Sequence, residues 1–171
     1  EPDLPICDPH HHFYFRRLDR IPYHNYQIED LYTDLNSGHN VVSTVFVEAR
    51  AMYRPDGPEE MRPVGEVEFV QKIADESASG AHGPGRAAAA IIGKADLKMG
   101  EGLRPVLEAL QAASPNRFRG VRHSVGWDSS PDVVDREIRG VLGSDGYRAG
   151  ARVMAQMGLV LENSLYFPQL D

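Results

Sequence analysis

Hydrophobic and polar positions along the chain alternate between two periods. Five β-rich runs, residues 6–12, 41–50, 87–97, 118–125 and 159–167, are separated by stretches whose apolar residues recur with helical spacing. Ile28, Leu31, Tyr32 and Leu35 form one such stripe, and Val67, Val70 and Ala74 form a second. Leu103, Val106, Leu107 and Leu110 form a third, and Ala149, Val153, Met154 and Met157 a fourth. Gly38, Gly80 and Gly158 follow three of the stripes, where helix C-termini favour glycine. The pattern predicts β-α-β-α-β-α-β-α-β. Strict alternation of strand and helix calls for parallel strands joined by right-handed crossovers, in a doubly wound sheet or a (β/α)8 barrel. One β-α unit takes about 38 residues here, so eight would need roughly 300, near the size of a complete barrel. Residues 159–167 read as a buried strand followed by Pro168-Gln169-Leu170-Asp171 without a covering helix. That ending favours a single domain over 1–171 holding the first five strands and four helices of a TIM barrel, strands six to eight being absent.

Composition narrows the function classes. The chain has 171 residues, 42% hydrophobic and 25% charged, which suits one cored domain and excludes disorder. Lys+Arg 18 against Asp+Glu 25 gives a net charge of -7 with no basic block, so nucleic acid and anionic membranes are not expected partners. No apolar run approaches the roughly 18 residues of a membrane helix. Cys7 is the single cysteine and can form no internal disulfide; a cytoplasmic location is the corresponding expectation. A small anionic or polyhydroxylated molecule, or a second copy of the chain, is the expected partner. An open sheet edge would further promote a homo-oligomer.

The candidate chemistry starts at the end of the first strand, Asp8-Pro9-His10-His11-His12. Side chains alternate along a strand, so Asp8, His10 and His12 share one face and His11 takes the other. Two converging imidazoles chelate a divalent ion well. The same spacing suits a capped strand end or a surface histidine tract, and spacing alone leaves these readings open. Parity pairs Glu48 with Arg50, Lys94 with Asp96, Arg122 with Ser124 and Glu162 with Tyr166, a set of charges whose burial would be costly outside a polar mouth; salt bridges within a barrel core are the other reading. Two long connections follow strand ends, residues 51–64 and 126–144, and carry Tyr53 and Trp127 as candidate lid or ring contacts, ordinary loop packing being the alternative. His123 has the opposite parity to Arg122: it is either a substrate contact reached through the following turn or a structural histidine. Walker A, Gly-x-Gly-x-x-Gly, Gly-x-Ser-x-Gly and His-Glu-x-x-His patterns are all missing, and Cys7 faces away from the histidine pair by parity.

Ile6-Cys7-Asp8-Pro9-His10-His11-His12-Phe13 resembles the opening Asp-x-His-x-His strand of the amidohydrolase superfamily, in its amidohydrolase-2 branch of TIM-barrel hydrolases. Residues 45–50 (Val-Phe-Val-Glu-Ala-Arg), 120–123 (Gly-Val-Arg-His) and 165–170 (Leu-Tyr-Phe-Pro-Gln-Leu) are similar to that branch's strands two, four and five, in order. The resemblance implies metal- or histidine-assisted attack of water on a carbonyl, with lactones of sugar acids or pyrone carboxylates as the nearer substrates. Decarboxylation, amide hydrolysis and a non-catalytic α/β binding module are the alternatives. It also implies His10 and His12 as catalytic groups and ligands of one divalent metal, zinc or else manganese, although some relatives act without tightly bound metal. Glu48, Arg50, Lys94, Arg122, His123 and Tyr166 become the substrate contacts. No Lys or His follows Arg152, so a second, bridged metal is not expected. The general base would be an Asp beyond Asp171.

Overall fold

A computed structural model describes residues 3–15, 25–133 and 137–170. The alternating elements form in the predicted order: β1 (Ile6–His11), α1 (Ile28–Leu35), β2 (Val41–Val47), α2 (Val64–Ala78), β3 (Arg86–Lys94), α3 (Arg104–Ala113), β4 (Phe118–Ser124), α4 (Asp145–Gln156) and β5 (Val160–Ser164). All neighbouring strands pair in parallel, in spatial order β1-β2-β3-β4-β5. This order separates the two architectures that alternation allows. A doubly wound sheet reverses its strand order once, which sends helices to both faces. An unreversed order with right-handed crossovers keeps every helix on one face. The result is a curled half-barrel sheet, compatible with part of a barrel.

Apolar burial holds the helix layer to that face. Phe46, Ile91 and Val121 of the sheet join Val67 and Val70 of α2, Val106, Leu107 and Leu110 of α3, and Val153 and Met154 of α4 in one buried cluster. Each helical residue in that list belongs to, or lies in register with, an apolar stripe of the sequence. Gly80 and Gly158 sit one residue beyond the C-caps of α2 and α4 with φ of 83° and 65°, a conformation in which glycine has no Cβ penalty.

The strands stop earlier than the apolar runs suggest. β2 ends at Val47, β3 at Lys94 and β5 at Ser164, so side-chain alternation does not extend to Arg50, Asp96 or Tyr166. Asp96 instead caps a 3-10 turn, Leu97–Leu103, its carboxylate accepting the Lys98 N–H at 2.9 Å. This turn carries the backbone against which α4 packs. At Gly150 a Cβ would lie 2.3 Å from the Leu97 carbonyl oxygen. Gly150→Ala should therefore lower the urea midpoint: overpacking against backbone costs about 1 to 3 kcal/mol, more than the roughly 1 kcal/mol that alanine gains in a helix. An unchanged or raised midpoint would show that α4 can move off the turn freely. Among the described residues, no helix is long and apolar enough to cross a membrane.

Candidate functional site

The C-terminal ends of β1, β2 and β4 surround a cleft of about 250 Å³ lined by His12, Tyr14, Glu48, Ala49, Arg50, Arg122 and Ser124. Its frame is the ion pair between Glu48 and Arg122. Glu48 is 3% exposed; its Oε1 accepts from Arg122 Nε at 3.1 Å, and its backbone carbonyl accepts from Nη2 of the same guanidinium. Arg122 Nη1 reaches toward His10 Nε2 at 3.3 Å and Glu162 Oε1 at 3.6 Å. One guanidinium thus ties β4 to the ends of β1, β2 and β5.

The histidine run divides as alternation requires. His11 turns into the apolar layer, edge-on to Phe13 and Phe46, and burial lowers its pKa to about 4. His10 and His12 meet on the other face with their Nε2 atoms 3.1 Å apart. His12 Nδ1 lies 2.8 Å from the Val47 carbonyl oxygen. A carbonyl only accepts, so Nδ1 carries the hydrogen. Burial also lowers the His12 pKa, with Arg122 acting in the same direction, so the neutral ring turns a bare Nε2 toward His10. Arginine only donates, and its contact therefore asks His10 Nε2 to be bare as well. Two lone pairs then oppose each other across 3.1 Å unless a proton or cation lies between them. Asp8 is engaged elsewhere: its Oδ1 accepts the His10 backbone N–H at 3.1 Å.

The remaining sequence candidates separate. Arg50 lines the cleft, but not through alternation; a backbone φ of 58° puts it there. Lys94 is half-buried and outside the lining set, yet close enough to Glu48, Arg50 and Arg122 for their charges to act on it. Desolvation dominates and lowers its pKa. His123 lies on the opposite face from Arg122: it is buried against Tyr147, and its Nδ1 accepts the Leu97 N–H at 3.1 Å. That placement suits the structural alternative. Tyr166 is placed elsewhere. It stands beyond the end of β5, packed over Gly126 rather than lining the cleft. Trp127 is half-buried beneath the Arg139 guanidinium, 4.9 Å from the ring centroid, and the Tyr53 hydroxyl is buried; neither lines the cleft.

Two residues of the region escaped the sequence reading. Tyr14 lines the cleft and has the parity of His10 and His12, so extending the alternation by one step would have found it. Burial raises the pKa of its hydroxyl, which therefore remains a donor at neutral pH. Glu66, in the first turn of α2, had no such signal; its Oε1 accepts the Ala49 and Ala51 N–H groups behind the cleft wall. Among the described residues no group of three or more His, Cys, Asp and Glu side chains is arranged to hold a metal ion, so the histidines offer a pair of ligands only. Comparison with protein-family models, curated proteins and solved structures finds no match to this chain.

Proposed function

We propose that this chain forms the metal-binding and anion-binding part of an amidohydrolase-type hydrolase that opens a lactone bearing a carboxylate, on the first five units of a (β/α)8 barrel. The observation carrying this reading is the opposed pair of imidazole nitrogens. Two nitrogens bound to one zinc at 2.0 to 2.1 Å with a near-tetrahedral angle stand about 3.3 Å apart, close to the 3.1 Å between His10 Nε2 and His12 Nε2. The Val47 carbonyl fixes the ligating tautomer of His12, a common outer-shell arrangement in metal sites. A cation on His10 would displace the Arg122 Nη1 contact and leave that nitrogen to Glu162. The donor set therefore fits a single divalent ion with two ligands from this strand end. Such an ion would polarise the lactone carbonyl and lower the pKa of water.

The chain's own residues divide the other tasks. Arg122 is committed to Glu48, and this pair orients the floor of the cleft. Arg50 lies at the mouth, where its guanidinium can take a substrate carboxylate in two parallel hydrogen bonds. The Tyr14 hydroxyl, held protonated, can donate to a substrate oxygen. Lys94 adds positive potential behind them without lining the cleft.

Zinc titration of the purified protein against a chromogenic chelator tests the ligand assignment. About one equivalent should bind and should weaken on acidification, because protons compete for the imidazole nitrogens, burial setting His12 below its ordinary range. A His10→Ala, His12→Ala double change should abolish it. Acid release from sugar lactones, pyrone carboxylates and simple amides, together with carbon dioxide detection, tests the reaction; turnover of amides alone, or decarboxylation without ring opening, would overturn the choice of a lactone. A second reading, a non-catalytic α/β binding module, is favoured by the incomplete ligand set among the described residues. Zinc-free protein that binds carboxylates but turns over none of the panel would select it.

A further inference from the structure

The bend that places Arg50 in the cleft is held from behind by a residue outside it. After β2 the chain leaves the sheet through residues 48–52, where two non-glycine residues, Arg50 and Met52, adopt φ of 58° and 51°. Residues with a Cβ avoid this left-handed region, so other contacts must hold the bend. Glu66 supplies them. It is 0% exposed, and its Oε1 accepts the Ala49 N–H at 3.0 Å and the Ala51 N–H at 2.7 Å, the amides on either side of Arg50. Next to it, Gly65 lets the helix backbone press on the same loop: a Cβ there would lie 2.6 Å from the Met52 carbonyl oxygen and 2.8 Å from the Arg54 nitrogen. The Arg54 N–H donates to the Arg62 carbonyl at 2.9 Å, closing the loop at its base. Among the described residues the Arg50 side chain has no hydrogen bond or ion pair of its own, so this backbone, which fixes where the side chain departs, is what brings it to the cleft.

We propose that Glu66 is a positioning residue for anion recognition: by gripping the amides on both sides of Arg50, it presents that guanidinium to the cleft and sets the affinity for a carboxylate-bearing ligand. The inference rests on the reading of the cleft given above. It differs from a merely structural role because the effect of Glu66 on binding passes through one side chain.

A double-mutant cycle separates the two. The probe is pyridine-2,4-dicarboxylate, which cannot be hydrolysed, and its binding to the purified protein is measured by calorimetry for wild type, Arg50→Ala, Glu66→Met, Glu66→Gln and the pair Arg50→Ala, Glu66→Met. Arg50→Ala and Glu66→Met should each weaken binding about tenfold or more, as expected for losing a charge-assisted hydrogen bond. Glu66→Gln keeps an acceptor for both amides and should stay within about threefold of wild type. The pair should bind no more weakly than Arg50→Ala alone, because coupled residues are not additive. If Glu66→Met does not fold, Gly65→Ala replaces it and pushes the same loop from its other contact. Full additivity in the pair, or wild-type affinity in Glu66→Met, would overturn the proposal. Equal binding by wild type and Arg50→Ala would overturn the cleft reading itself, and the proposal with it, a result visible without any change at Glu66.

Discussion

Arg122→Ala is expected to destabilise the protein by about 3 to 5 kcal/mol, the range for removing one partner of a buried ion pair. Glu48 is 3% exposed and pairs with Arg122 through both its carboxylate and its backbone carbonyl. Without the guanidinium, a carboxylate would sit in low dielectric with its main cation gone, and the ends of β1, β2, β4 and β5 would lose their shared tie. For a chain of this size the loss corresponds to a melting temperature lower by roughly 10 °C. Replacing both partners, Glu48→Leu with Arg122→Met, should recover most of the stability, since apolar residues of similar volume carry no desolvation cost. A melting temperature for Arg122→Ala within about 2 °C of wild type would show that Lys94 or solvent can take over the pairing.

The second large effect is a pH dependence located at Glu66. Burial pushes its carboxyl up to about 7, against 4.5 ordinarily; the Ala51 and Ala49 amides only partly offset it, and the nearby Glu48 charge adds to the rise. Below pH 4.5 the folded and unfolded chains both carry the proton, and Glu66 costs nothing. Between 4.5 and about 7 the unfolded chain loses the proton while the folded chain retains it, so stability falls as pH rises. Above about 7 both states are ionised and the penalty is constant. Its full size is on the order of 3 kcal/mol. Glu66→Gln, neutral throughout and still able to accept both amides, should be more stable than wild type at pH 8 by an amount approaching that figure and little different at pH 4. Comparing the two proteins by urea denaturation at both pH values isolates Glu66 from His11, whose depressed pKa works in the opposite sense. A pH-independent difference would show that the Glu66 carboxyl titrates alike in the folded and unfolded chains.

Much of the architecture is local and therefore legible. The stripe Ile28, Leu31, Tyr32 and Leu35 became α1, all four side chains buried; Leu103, Val106, Leu107 and Leu110 did the same across the entry and body of α3. The division of His11 from His10 and His12 followed from the two-residue period of a strand, because the pleat alone decides it. Periodicity placed Arg122 on the inward face, opposite the buried Val121 and His123, for the same reason. It held past the end of β1, to His12 and Tyr14, but failed past the ends of β2, β3 and β5. Arg50 reaches the cleft through a positive φ, Asp96 caps a turn, and Tyr166 packs over Gly126; beyond those strand ends, backbone dihedrals rather than parity direct a side chain.

Helix stripes, strand runs, glycine caps and the opposed faces of the histidine run are therefore set by the sequence itself, through short-range periods of 3.6 and 2.0 residues. The tertiary structure alone decided the unreversed strand order, the engagement of Arg122 by Glu48, the burial of His123 against the helix layer and the grip of Glu66 on the Arg50 loop. Each joins residues distant in sequence, and their pairing depends on which faces meet when the apolar layer closes, information that no local period contains.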